Sequence, residues 1–189
     1  MMTETFRAFI AIDLPERVRS ALGEAQKVLK LQGFRVKWVR PSSIHLTLKF
    51  LGSTAVADVD KIVAAMALAA QNCTPFSLAA KGIGVFPDIR RARVIWTGLT
   101  GGLETLQQMQ QSLDGHLADQ GFAPENRDFK AHLTLGRVKG KINSNHLKAA
   151  LIELAGFESK PFDVSRMILF KSELRAGGAV YTQVQGVSL

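Results

Sequence analysis

The sequence predicts an α+β fold, arranged as a single bilobed domain over residues 1–189. Short turns separate several pairs of β-rich segments, which favours antiparallel strand pairing with helices packed outside the sheets. The tetrad His-Leu-Thr-Leu occurs at His45 and again at His132, close to half the chain length apart. A strand and a helix are predicted before each copy, so the repeat indicates an internal duplication rather than a solenoid.

The elements of the first half follow from apolar periodicity and from Gly and Pro positions. Pro15 opens a helix with a continuous apolar stripe, and Gly33 ends it. Gly52 is expected to stop the strand that carries the first tetrad. The predicted elements are a strand at 7–14, a helix at 15–32, a strand at 36–39, a turn at 41–43, a strand at 44–51 and a helix at 56–71.

The second half is interpreted in the same way. Gly82 and Gly84 interrupt its first strand, Pro87 begins a basic loop, and Asn143 caps the last helix. The predicted elements are a strand at 76–86, a strand at 93–99, a helix at 103–120, a strand at 129–138, a helix at 144–154 and strands at 162–174 and 181–187 around a loop at 175–179.

The composition excludes several classes of protein. Hydrophobic residues make up 47% of the chain, so it is not a disordered protein, and the apolar runs are too short for a membrane span. With a single cysteine, Cys73, neither an internal disulfide nor a thiolate metal cluster can form. Residues 1–9 lack the apolar core of a signal peptide, so we expect a cytoplasmic protein that does not contact membranes.

The net charge of +8 favours an anionic partner, although many small basic proteins bind nothing anionic. The position of the charges strengthens the case for a nucleic acid or nucleotide, because basic residues flank both tetrads. Those around the first are Lys37, Arg40 and Lys49, those around the second are Arg127, Lys130, Arg137, Lys139 and Lys141, and a separate cluster holds Arg90, Arg91 and Arg93.

The two tetrads suit acid–base chemistry at a phosphate. Alternate side chains of a strand share a face, so His45 and Thr47 should project one way while the leucines are buried on the other. The same holds for His132 and Thr134. A neutral imidazole can accept a proton near neutral pH and a protonated one can donate it, while hydroxyls can bond the phosphate oxygens.

Other interpretations of the histidines compete with this one. A single histidine in a strand is usually only packed and hydrogen-bonded, and it is the matched second copy that favours function. A metal site is disfavoured, since each strand supplies one ligand and no carboxylate or cysteine cluster lies nearby in sequence. We predict that His116 and His146 are solvated on helix surfaces.

Several segments together resemble the two-histidine phosphoesterases, and in particular the bacterial and archaeal RNA 2′,3′-cyclic phosphodiesterases formerly called 2′-5′ RNA ligases. The similarity covers nearly the whole chain. It is carried by FRAFIAIDLPERVR, VKWVRPSSIHLTLKFLG, FPDIRRARVIWTGL, DFKAHLTLGRV, and LFKSEL followed by Gly177, Gly178 and Tyr181. Ala131 stands where that family often has proline before its second motif, which removes no catalytic group.

This resemblance implies two pseudo-symmetric antiparallel sheets with outer helices around a basic central cleft. It implies metal-independent hydrolysis of RNA 2′,3′-cyclic phosphate ends to a 2′-phosphomonoester, with no cofactor. It assigns the proton donor to His45 and the acceptor to His132, a distinction that the identical tetrads do not make. Phosphate contacts fall to Thr47, Thr134 and Arg137, and we expect a monomer whose partner is an RNA or nucleotide with a cyclic phosphate end.

Two other functions stay open at this point. The chain could be a nucleic-acid-binding module that has lost turnover, although binding alone does not need paired titrating groups. It could also run the same reaction backwards, as 2′-5′ ligation. An ATP-driven ligase is disfavoured because no nucleotide-binding glycine loop or activated lysine motif is present. The aromatic candidates for stacking a terminal base, each more often a core residue, are Phe50, Phe86, Trp96 and Phe129.

Overall fold

The computed structural model describes residues 4–176 and 178–189, so Gly177 of the family-like segment lies outside the described residues. Four helices are interspersed among nine strands in the described part of the chain. The elements are β1 (Thr5–Ile12), α1 (Glu16–Leu31), β2 (Val36–Trp38), β3 (Leu46–Ala55), α2 (Val59–Ala70), β4 (Phe76–Phe86), β5 (Val94–Gly101), α3 (Leu103–Asp119), β6 (Leu133–Val138), α4 (Ser144–Glu153), β7 (Phe162–Val164), β8 (Arg166–Arg175) and β9 (Gly178–Ser188).

The strands form two sheets, and the predicted antiparallel α+β fold is confirmed. The first sheet has the order β3-β1-β8-β9 and the second has the order β2-β6-β5-β4-β7. All pairings between neighbouring strands are antiparallel. Each sheet therefore holds one tetrad, with the first on β3 and the second on β6.

A hydrophobic core connects the two sheets with the helices. Ile10 of β1, Leu22 of α1, Leu113 of α3 and Leu133 of β6 are all completely buried and belong to one continuous cluster. The Asn143 side chain accepts hydrogen bonds from the backbone N–H groups of Asn145 and His146, which confirms the predicted cap of α4. Burial of these helix faces against the sheets fixes the positions of the tetrad strands.

The strand predictions at 44–51 and 162–174 differ most from the structure. Gly52 does not stop β3, because it adopts a φ of +73°, which glycine tolerates, and pairing with β1 continues to Ala55. The predicted strand at 162–174 is two strands, since the chain leaves the second sheet at Val164 and enters the first sheet at Arg166. Apolar periodicity cannot reveal which sheet a strand joins.

None of the helices in the described part of the chain combines the length and apolar character needed to cross a membrane.

Candidate active site

Both tetrads open onto one cavity of about 610 Å³, which is lined by residues of both sheets. The sequence-predicted site residues all lie on its wall, and they come from segments far apart in the chain. They are His45, Thr47, His132, Thr134 and Arg137. The predicted central cleft is therefore present, and the fold brings the five side chains together.

The leucines of the tetrads lie on the opposite face, as alternation predicts. Leu46, Leu133 and Leu135 are completely buried, and Leu48 is nearly so. Each histidine stands immediately before its strand, since β3 begins at Leu46 and β6 at Leu133. Burial of the leucines anchors each histidine at the point where its strand enters the sheet.

The two imidazole rings are held by the same local hydrogen bond. His45 Nδ1 lies 2.9 Å from the carbonyl oxygen of Ser43, and His132 Nδ1 lies 2.6 Å from that of Lys130. A carbonyl can only accept, so Nδ1 carries the proton and donates in both rings. Nε2 is then the nitrogen of each ring that is available to exchange a proton in the cavity.

A β-bulge lies at the last residue of each tetrad. In the first sheet Ala11 pairs with Thr47 and Ile10 with Lys49, so Leu48 is an extra residue. In the second sheet Leu135 is the extra residue between Thr134 and Gly136. A bulge reverses the alternation of side chains beyond it. The residue five positions after each histidine therefore returns to the cavity face, and these residues are Phe50 and Arg137.

Gly136 is required at the second bulge because neighbouring side chains fill the space above it. A Cβ at this position would lie 2.5 Å from Val36 Cγ1 and 2.9 Å from Trp38 Cε3. Strand β2 pairs with β6 in the same sheet, and its Val36 and Trp38 side chains occupy the space that a side chain at 136 would need. The glycine thus lets these two side chains pack against β6 immediately before Arg137.

A buried glutamine from an outer helix binds the extra leucine of each bulge. Gln26 of α1 is completely buried, and its Nε2 donates to the carbonyl oxygens of Leu135 and Val39, both at 2.8 Å. Gln110 of α3 donates to the carbonyl of Leu48 at 3.4 Å. The pseudo-symmetry therefore extends from the histidines to the helices that hold their strands.

Aromatic rings surround His45 on the first sheet. Phe9 stacks on the imidazole with ring centroids 4.6 Å apart, and Tyr181 meets it edge-on at 5.0 Å. Burial lowers the pKa of His45 below its ordinary value of 6.5, and the positive charge of Arg19 acts in the same direction. The Ser43 carbonyl and the charge of Asp13 oppose this shift without cancelling it. The environment thus favours the neutral imidazole in the free protein.

The cavity is strongly basic. Among the described residues that line it there are five Lys and Arg side chains and no Asp or Glu, the cations being Arg7, Lys37, Arg40, Arg137 and Lys139. Lys37 lies directly opposite Arg137 in the β2–β6 pairing, and like charges in such positions destabilise a sheet. A bound anion would relieve this repulsion, so the arrangement fits a phosphate-containing ligand.

The structure corrects several interpretations of the basic clusters. Lys49 does not face the cavity: the first bulge turns it inward, where it is 5% exposed and pairs with Asp114 of α3. Arg91 binds Asp88 in the loop before β5. Other basic residues named from the sequence are absent from the described lining, namely Arg90, Arg93, Arg127, Lys130 and Lys141.

The aromatic and remaining histidine candidates are placed as follows. Phe50 is 65% exposed and lines the cavity, so the core interpretation is wrong for it. Phe86 stacks on Trp96 and meets the edge of His132 at 5.2 Å. Phe129 packs against the core. His116 and His146 lie away from the cavity, where His146 is exposed and bonds Gln32.

Sequence reasoning missed Arg7 and Tyr181 as cavity residues. Both belong to strands of the first sheet, β1 and β9, that are not neighbours of a tetrad in sequence. Only the strand order brings them to the cavity, where Tyr181 meets His45 edge-on. The described residues contain no group of three His, Cys, Asp or Glu side chains that could hold a metal ion.

The chain is similar to known proteins over nearly its whole length. The model of the LigT like Phosphoesterase family matches residues 12–96 and 100–181. An RNA 2′,3′-cyclic phosphodiesterase of Methanothermobacter thermautotrophicus is 38% identical over 179 residues, which is 95% of this chain and 96% of the relative. A protein of the same name from Aquifex aeolicus is 30% identical, with 95% of each chain covered.

Solved structures share the fold. TT0787 of Thermus thermophilus superposes with a TM-score of 0.80 at 28% identity, over 97% of each chain. E. coli LigT complexed with 3′-AMP superposes with a TM-score of 0.75 at 25% identity, over 98% of this chain and 99% of the other. The fold is thus common to these proteins.

Proposed function

Because the chain belongs to the LigT-like phosphoesterase family, we propose that it hydrolyses the 2′,3′-cyclic phosphodiester at RNA ends to a 2′-phosphomonoester. The observation that carries this proposal is the shared cavity, in which two imidazoles with available Nε2 atoms face one basic space. The curated relatives bear the name of this activity. A phosphate between two such rings has an acceptor on one side and a donor on the other.

The reaction balances with the two histidines alone. Neutral His132 Nε2 accepts a proton from water as the water oxygen forms a bond to phosphorus. Protonated His45 Nε2 donates its proton to the ribose 3′-oxygen as the bond between that oxygen and phosphorus breaks. The phosphate stays on the 2′-oxygen, and the two protonation states are exchanged. Each partner should contribute roughly 10²–10⁴-fold to the rate.

The assignment of the donor to His45 follows the family resemblance, and its environment supports the role. Burial makes the charged imidazole less stable, so a protonated His45 is a stronger acid than an ordinary one. The negative charge of a bound phosphate would favour protonation of the ring before the reaction. His132, at the other tetrad, then serves as the base.

The phosphate oxygens have partners on both sheets. The hydroxyls of Thr47 and Thr134 share the cavity face with the histidines and can donate to the non-bridging oxygens. The bulge brings Arg137 to that same face, where its planar, permanently charged guanidinium can bind two oxygens at once. These groups stabilise charge that grows on the phosphate in the transition state.

Three further features belong to the proposal. The reaction needs no metal ion, since the acid, base and charge stabilisation all come from side chains. The reverse reaction, 2′-5′ ligation, would use the same groups in opposite order. One chain supplies both tetrads to the cavity, so no second chain is needed to complete the site. We therefore propose a monomer, and small-angle scattering would measure its mass in solution.

The test is turnover of an RNA with a 2′,3′-cyclic phosphate end, with and without a strong chelator. We expect equal rates in both conditions and a 2′-phosphate product, identified by ³¹P NMR. His116→Asn provides a control, since His116 lies outside the cavity and should leave turnover intact. A 3′-phosphate product, or activity that vanishes with chelator and returns with metal, would contradict the proposal. Binding without turnover would favour the nucleic-acid-binding module.

A further inference from the structure

Arg7 is a cavity cation for which the proposed hydrolysis gives no role. It lies on β1, is exposed, and lines the same cavity as the two histidines. Within the described part of the chain no carboxylate forms an ion pair with it. A guanidinium with its charge unpaired at a binding surface is well suited to a phosphate.

The strand register places polar groups beside Arg7. Arg7 pairs with Ser172 of β8, and Ser172 pairs with Tyr181 of β9, so the three side chains form a row across the first sheet. Neighbouring strands lie about 4.8 Å apart, which keeps the row compact. All three residues line the cavity. The row therefore offers one guanidinium and two hydroxyl groups to a ligand.

The row lies two residues along β1 from Phe9, the residue of that strand that stacks on His45. Arg7 and Phe9 share a face of β1, and Phe9 stacks on the imidazole of His45 at 4.6 Å. Two residues of a strand span about 7 Å. This offset is comparable to the separation of successive phosphates along an RNA strand. A phosphate at Arg7 would thus neighbour the one between the histidines.

Tyr181 links the two positions. Its ring meets the His45 imidazole edge-on, and its phenol feels the positive charges of both Arg7 and Arg137. Burial outweighs those charges and raises the pKa of Tyr181, so its hydroxyl stays protonated and can donate a hydrogen bond. The Tyr181 hydroxyl therefore adds a hydrogen-bond donor to the cavity within electrostatic reach of both arginines.

We propose that Arg7, with Ser172 and Tyr181, forms a second phosphate subsite that binds the internucleotide phosphate on the 5′ side of the terminal nucleoside. The preferred substrate class is then an oligonucleotide with a cyclic end rather than a free cyclic mononucleotide. This inference rests on the proposed hydrolysis. The competing site for the second phosphate is the pair formed by Lys37 of β2 and Lys139, which immediately follows β6, and the experiment distinguishes the two sites.

The experiment compares kcat/KM for three substrates with the same terminal nucleoside 2′,3′-cyclic phosphate. The first is the mononucleotide with a free 5′-hydroxyl. The second is a dinucleotide that ends in this nucleotide, and the third is the same dinucleotide with a neutral methylphosphonate linkage. We expect wild-type protein to favour the charged dinucleotide over the neutral one by about tenfold, since a charge-assisted hydrogen bond is lost with the charge. Arg7→Gln should remove this preference and lower the dinucleotide rate more than the mononucleotide rate.

Arg166→Gln is the matched control, because Arg166 is another exposed arginine of the first sheet, six residues along β8 from Ser172 and absent from the described lining. The Arg166→Gln variant should keep the preference of about tenfold for the charged dinucleotide over the neutral one. A preference that persists in Arg7→Gln would overturn the inference, as would its loss in Lys37→Gln but not in Arg7→Gln. Failure of wild-type protein to hydrolyse any of the three substrates would instead overturn the proposed hydrolysis itself.

Discussion

His45 and His132 make the same hydrogen bond, from Nδ1 to the carbonyl oxygen of the residue two positions earlier. The acceptors are Ser43 and Lys130, and the distances are 2.9 Å and 2.6 Å. This shared geometry fixes both rings in the tautomer that carries its proton on Nδ1, so Nε2 can exchange a proton with the substrate. The two rings therefore have the same tautomer, and only the surroundings of each ring can distinguish donor from acceptor.

The burial of His45 predicts a low titration midpoint. Its Cε1 proton signal should titrate below pH 6.5 in the free protein, because burial lowers the pKa of the ring. His45→Asn assigns the signal by removing it. A midpoint at or above 6.5 would contradict the described environment. The rate should still follow a bell in pH whose limbs belong to the coupled pair.

The same shift predicts how stability depends on pH. The unfolded chain binds a proton at His45 near pH 6.5, more tightly than the folded protein does. The free energy of unfolding should therefore fall as pH decreases below about 6.5, until the folded ring is protonated as well. Urea unfolding at several pH values should show a weaker dependence over this window in His45→Asn than in wild type.

Loss of the Gln26 amide should disturb the second bulge. Gln26→Leu keeps most of the side-chain volume but leaves the carbonyl oxygens of Leu135 and Val39 without this donor. We expect a loss of about 1–3 kcal/mol in the free energy of unfolding, measured with urea, and a lower kcat/KM through misplaced Arg137. Gln111→Leu, at an exposed position of α3, should change neither quantity. Equal effects of both variants would refute the role of the bulge.

The buried Lys49–Asp114 pair should matter for stability rather than for phosphate binding. Lys49→Met leaves a largely buried carboxylate without its partner, so the loss should be about 3 kcal/mol in thermal or urea unfolding. Lys27→Met removes one partner of the exposed pair with Glu24 and should cost less than about 1 kcal/mol. Retained stability in Lys49→Met would show that the pair is not structural.

Phe50 should bind the terminal base. Its ring is 65% exposed on the cavity wall, so Phe50→Ala should leave Tm nearly unchanged. Loss of base stacking, worth about 1–3 kcal/mol, should lower kcat/KM on cyclic RNA ends by about 5- to 150-fold. Phe50→Trp should preserve turnover. A Phe50→Ala variant as active as wild type would place the base elsewhere.

Much of the site follows from local sequence. Alternation correctly separated His45 and Thr47 from the buried leucines. The antiparallel pairing expected from short turns is correct for β4 with β5 and for β8 with β9. It is wrong for β2 and β3, which join different sheets. The features predicted correctly depend only on neighbours along the chain. The same rule fails beyond the tetrads. Strict alternation would place Arg137 on the core face with Leu133 and Leu135, whereas Arg137 lines the cavity.

The features that the sequence did not reveal depend on contacts between distant segments. The bulges show only in the register with a partner strand, and they account for both the return of Arg137 to the cavity and the inward turn of Lys49. Gln26 looks like an ordinary polar helix residue until α1 is placed against β6. Arg7 reaches the site because β1 lies between β3 and β8.

Joint action of both imidazoles on one phosphate is tested by a kinetic comparison of His45→Asn, His132→Asn and the double variant. Asparagine can keep the bond to the backbone carbonyl while removing Nε2. We predict that each single variant loses at least about 10²-fold in turnover of a cyclic RNA end, and that the double variant loses much less than the product of the two. Turnover close to wild type in either single variant would rule out joint action of the two imidazoles.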